Sequence, residues 1–98
     1  MDTAYSVHGV PIRLSYERWY HIVENHDDLA STFHEILDTV ENPDVVVRGS
    51  HGALKAVKSL GRAKWMVVVY RELSKRDGFV ITAYRLSRRP KGEIVWRR

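Results

Sequence analysis

Two histidines, His21 and His26, stand five residues apart in the segment RWYHIVENHDDLA, Arg18 to Ala30. Imidazole ordinarily titrates near neutral pH, so a pair can ligate a metal ion or act as the base and acid of a proton transfer. The spacing argues against the metal. Helical histidines that share an ion usually sit four residues apart, whereas five helical steps separate two side chains by about 140°. No third ligand lies at a useful spacing, and no metal or other cofactor is expected. Proton transfer tolerates the separation: a helix ending near Asn25 leaves His26 in a loop, and two imidazoles held apart can flank a phosphodiester. On sequence alone an equal alternative stands. His21 is then a solvated histidine on the polar side of a helix with Glu17 and Asn25, and His26 a polar group closing that helix where its dipole favours a cation. His8, in the opening segment, His34, beside a helical stripe, and His51, at a hairpin tip, carry no such pattern.

Metal-free RNA cleavage needs a base for the ribose 2′-OH, an acid for the leaving 5′-oxygen, and donors or cations for the phosphoryl oxygens. Aromatic side chains can stack on unpaired bases. Arg48, Lys58, Arg71 and Arg85 fall on apolar, strand-like runs as candidate clamps, Thr82 and Tyr84 are candidate donors, and Tyr70 and Tyr84 candidate stacking rings. The plain alternative is that Thr82 and Tyr84 are sheet formers. The charge distribution favours a polyanion. Residues 1–47 hold two Lys or Arg against nine acids, and residues 48–98 hold fourteen against three, Glu72, Asp77 and Glu93. An acidic half joined to a basic half implies one cationic surface; a lysine- and arginine-rich sheet edge that resists aggregation would give the same composition.

The elements must bring these residues together. Ninety-eight residues make one domain, 1–98, with a single modest core. The absence of cysteine excludes disulfides and thiolate chemistry. No apolar run approaches the roughly 20 residues that span a bilayer, and the N-terminus lacks a secretory pattern, so a cytoplasmic protein is expected. VPIRLS is a short entry segment, with a strand as one reading of it. Ser15 caps a first helix carrying Tyr16, Trp19, Tyr20 and Val23 at helical spacing. Asp27 or Asp28 caps a second, with Leu29, Phe33, Ile36, Leu37 and Val40 as its stripe, ended by Pro43. β-Branched runs then alternate with turn clusters, and Asp77-Gly78 is a hairpin signal. The expected fold is α+β: two N-terminal helices packed on an antiparallel meander of four to five strands. Alternation puts Trp65, Val67, Val69 and Arg71 on one face and Met66, Val68 and Tyr70 on the other. The set with Tyr70, Thr82 and Tyr84 is the more polar and is assigned to the open face; a bulge would invert that assignment.

The order YHIVENHDDLA, ILDTVENPDVVVRG, KWMVVVYRE, DGFVITAYRLSR, GEIVW, over roughly residues 18–97, resembles the phage-associated branch of the BECR nucleases, the superfamily named for barnase, EndoU, colicin and RelE-like enzymes. Asp27 stands where that family often has a proline. The resemblance implies a RelE-like fold and a metal-independent endoribonuclease acting by 2′-OH transesterification. It also implies a toxin of a toxin–antitoxin or phage-conflict system, with RNA as substrate and an antitoxin or immunity protein as partner. It makes His21 and His26 the leading catalytic residues, followed by Thr82 and Tyr84, with Arg48 and Lys58 as basic strand positions. The competing readings are a non-catalytic RNA- or DNA-binding module and a domain whose basic surface docks an acidic protein.

Overall fold

The computed structural model describes residues 2–25 and 32–98. The chain runs β1 (Asp2–Tyr5), β2 (Pro11–Leu14), α1 (Tyr16–Asn25), α2 (Phe33–Glu41), β3 (Val45–Arg48), β4 (Leu54–Gly61), β5 (Lys64–Ser74), β6 (Asp77–Leu86), β7 (Ile94–Arg97). All the described strands join one seven-stranded sheet in the order β1-β2-β6-β5-β4-β3-β7. The α+β content is as expected, but the architecture is not two N-terminal helices on a four- to five-stranded antiparallel meander. A hairpin, β1–β2, precedes the helices, and β2 lies parallel to β6, making the sheet mixed. The last strand does not follow β6 but returns to the far edge beside β3.

Those two departures explain what covers each face. Between β2 and β3 the chain must pass β6, β5 and β4, and the helices make that crossing on one face. Ser15 caps α1 as expected, its Oγ accepting the Arg18 N–H at 3.1 Å. The amphipathic stripes bury Ile22, Ile36 and Val40 against Leu14, Met66, Val68, Tyr70, Val80 and Ala83. The ring of Trp19 meets Phe33 edge-on at 5.2 Å, joining the two helices. The proposed caps Asp27 and Asp28, and Leu29, lie outside the described residues. Between β6 and β7 the chain must pass β5, β4 and β3, and Gly92 packs beside Val47 on the helix-free face. Residues 87–93 therefore strap that face, over a second, smaller core of Val45, Val47, Val57 and Val67.

The Asp77-Gly78 pair is not the hairpin turn. The turn is Lys75–Arg76, and Asp77 and Gly78 already lie in β6. Gly78 faces Ile12 in the parallel pairing of β2 with β6, in which Arg13 faces Phe79. A Cβ there would stand 2.5 Å from Ile12 Cδ1 and 2.6 Å from the Arg71 carbonyl oxygen, so the glycine is required by contact, not by turn geometry.

Candidate nucleic-acid interface

Strand register assigns each side chain to a face. On the helix side the rows across the sheet are Val46–Ala56–Val68–Ala83 and Lys58–Met66–Arg85. On the helix-free side they are Val45–Val57–Val67–Tyr84 and Val47–Lys55–Val69–Thr82. A register shift between Val69 and Tyr70 leaves Ile81 as an extra residue of β6. This bulge puts Thr82 and Tyr84 on the face of Val67 and Val69, and Val80 on the face of Tyr70. The expected grouping of Tyr70 with Thr82 and Tyr84 is therefore split, for the reason the alternation argument itself named.

The expected site residues are accordingly dispersed. Thr82, Tyr84 and Arg71 share the helix-free face, half-buried. The Arg71 guanidinium donates to the His51 carbonyl at the adjoining β3–β4 turn. Tyr70 is no stacking ring: it is fully buried under the helices. Burial, and secondarily the negative charge of Glu72, push its hydroxyl well above the ordinary tyrosine range. Lys58 and Arg85 lie on the helix side and are held by α2, Lys58 by Asp38 at 3.3 Å and Arg85 by Glu35 at 3.5 Å. Arg48 pairs with Glu93 at 3.1 Å. His21 is exposed on α1, in the helix layer, with its carbonyl accepting the Asn25 side-chain amide at 3.1 Å. It is thus on the opposite side of the sheet from Thr82 and Tyr84. His26 lies outside the described residues.

What the helix-free face does assemble is a band of half-exposed side chains along β5 and β6. Trp65 and Tyr84 each pack on the cluster of Val45, Val47, Val57 and Val67, followed along the strands by Val69 with Thr82, and then Arg71 with Phe79. Lys55 stands next to Val69 in the same row. The strap carries Arg88, Arg89 and Lys91, all exposed. Sequence reasoning missed Trp65, Phe79 and Lys55, although the even spacing of Trp65, Val67, Val69 and Arg71 already tied Trp65 to that face.

The acids of the basic half are consumed locally: Glu72 by His8, Asp77 by Arg13 and Glu93 by Arg48. Asp38, Glu35 and Asp44 from the acidic half take Lys58, Arg85 and Arg98. Among the described residues this leaves ten of the fourteen Lys and Arg of residues 48–98 in no ion pair: Lys55, Arg62, Lys64, Arg71, Lys75, Arg76, Arg88, Arg89, Lys91 and Arg97. No described helix is long and apolar enough to cross a membrane. No family model matches the chain, and neither does a curated protein or a solved structure.

Proposed function

We propose that this protein binds single-stranded RNA across the helix-free face of its sheet, in the cytoplasm. The observation that carries the reading is the band of Trp65, Tyr84, Thr82 and Phe79 beside unpaired cations on β4 and on the strap. Half-exposed rings on a sheet offer stacking surfaces to splayed bases, and unpaired Lys and Arg replace the counterions of the phosphate chain. The test is titration of a short labelled RNA by fluorescence anisotropy over a range of salt. Binding that weakens steeply with salt and is lowered by Trp65→Ala and Tyr84→Ala supports the reading; no affinity at low salt contradicts it.

The second reading is metal-independent RNA cleavage by 2′-OH transesterification, as in a toxin with a neutralising partner. The segments resembling the BECR nucleases and the cationic surface support it. A site joining His21 to Thr82 and Tyr84 is not supported, because the sheet lies between them. What favours cleavage among the described residues is a different imidazole, that of His8.

A further inference from the structure

His8 sits in the β1–β2 turn, where Gly9 takes a positive φ of 78°. Its Nδ1 lies 3.0 Å from both carboxylate oxygens of Glu72. Glu72 also accepts the Ser6 hydroxyl proton at 2.6 Å, and Ser6 Oγ accepts the backbone N–H groups of His8 and Val10 at 3.3 and 3.2 Å. An ionised carboxylate can only accept, so Nδ1 must be the protonated nitrogen, which leaves Nε2 with its lone pair when the ring is neutral. The carboxylate is recessed, with 18% of its side chain exposed, while the imidazole is 49% exposed. His8, Val10, Glu72, Leu73, Ser74 and Lys75 line a cleft of about 490 Å³ between the tips of the two hairpins. A fixed carboxylate, a ring oriented by it, an unblocked second nitrogen and a lysine beside a cleft are what a general base at a phosphodiester requires.

We propose that His8 is a catalytic base, positioned by Glu72 and Ser6, that cleaves RNA passing from the helix-free face round the end of the sheet into this cleft, where Glu72 shares the side of Tyr70; the proposal rests on the RNA-binding reading above. His8 Nε2 takes the proton of a ribose 2′-OH, and O2′ forms a bond to the adjacent phosphorus. The phosphorus–O5′ bond breaks, and O5′ takes a proton from solvent water. The resulting hydroxide is neutralised by the proton that the imidazolium returns to solvent. The Lys75 ammonium balances the charge that builds on the phosphoryl oxygens. The products are a 2′,3′-cyclic phosphate end and a 5′-hydroxyl end.

The same contacts would serve equally as a clasp between the hairpins, so the test must separate chemistry from structure. RNA is incubated with the wild type in EDTA and the product ends are identified. His8→Ala is expected to lower the cleavage rate about 100-fold or more, with the RNA affinity kept, and free imidazole in the medium to restore part of the loss. Glu72→Gln is expected to lower the rate while leaving RNA binding intact. Should His8→Ala not fold, His8→Gln, whose amide can still donate to Glu72, is assayed in its place and must show the same loss of rate. Cleavage undiminished in a folded His8→Ala or His8→Gln, or RNA that is bound but uncut, overturns the proposal and leaves the binding reading standing. RNA that is not bound overturns both.

Discussion

Tyr70 and Asp38 set opposite pH limits on this fold. The Tyr70 hydroxyl is buried with no hydrogen-bond partner among the described residues, and its ionisation is suppressed first by burial and then by Glu72. Its folded-state pKa is raised, so the stabilisation it gives is complete below the unfolded tyrosine value, about 10, and is lost as pH rises beyond that. Tyr70→Phe is expected to abolish this alkaline loss. It should also leave neutral-pH stability unchanged or higher by about 1 kcal/mol, because a buried hydroxyl without a partner is removed. Urea unfolding of both proteins at pH 7 and at alkaline pH checks this; a large neutral-pH loss in Tyr70→Phe would show that the hydroxyl has a stabilising partner. Asp38 behaves in the opposite sense. Its pKa is lowered, chiefly by the Asn42 side-chain amide at 2.9 Å and also by Lys58. Its stabilisation is present above the unfolded carboxylate value, about 4, and disappears as pH falls below that. In Asp38→Asn the acid limb of the thermal unfolding midpoint against pH should be shallower than in the wild type. At this scale the sequence was least legible. Nothing in its pattern tells that Tyr70 faces the helices while Thr82, two strand positions from its ladder partner Val80, faces away, because one extra residue, Ile81, decides it. His8 was unreadable for another reason: its partner Glu72 is 64 residues away.

Among the elements, the helices and the central strands announced themselves. Ser15, the stripes at Trp19 and Ile36, and the β-branched runs at 45–47 and 67–69 are local signals, and local signals survive folding. The β1–β2 hairpin did not, since β1 spans only four residues and is confirmed as a strand by its pairing with β2. Nor could the destination of β7 be read, because a short strand can join either edge of a sheet. The hairpin's attachment depends on Gly78, whose missing side chain lets β2 approach β6 at Ile12 and Arg13. Gly78→Ala is therefore expected to lower stability by about 1–3 kcal/mol and to speed amide exchange at the parallel pair before the β4–β5 ladder is affected. Hydrogen exchange followed by NMR measures both; equal acceleration throughout the sheet would show that the hairpin is not a separable unit. Removing the Ile36 side chain is a global test of the helix layer. Ile36 is fully buried, and Ile36→Ala should cost about 2–5 kcal/mol in denaturant unfolding.

Across the whole molecule, the division of charge along the chain becomes a division of pairing. Acids of α2 neutralise Lys58 and Arg85 on the helix side, whereas the strap and the β4–β5 and β5–β6 turns keep their cations unpaired. The net charge visible in the sequence thus understates what an approaching polyanion meets on the other face. Each unpaired cation that contacts phosphate should contribute nearly one to the slope of log affinity against log salt, so Lys91→Ala or Arg88→Ala should reduce that slope by about one. The most direct measurement is RNA affinity in Tyr84→Ala and Trp65→Ala proteins that remain folded. The account predicts a loss of about 1–3 kcal/mol in binding for each ring, with the salt slope retained, since stacking is removed and phosphate contacts are not. Affinity unchanged in both variants would contradict the assignment of the helix-free face as the RNA surface.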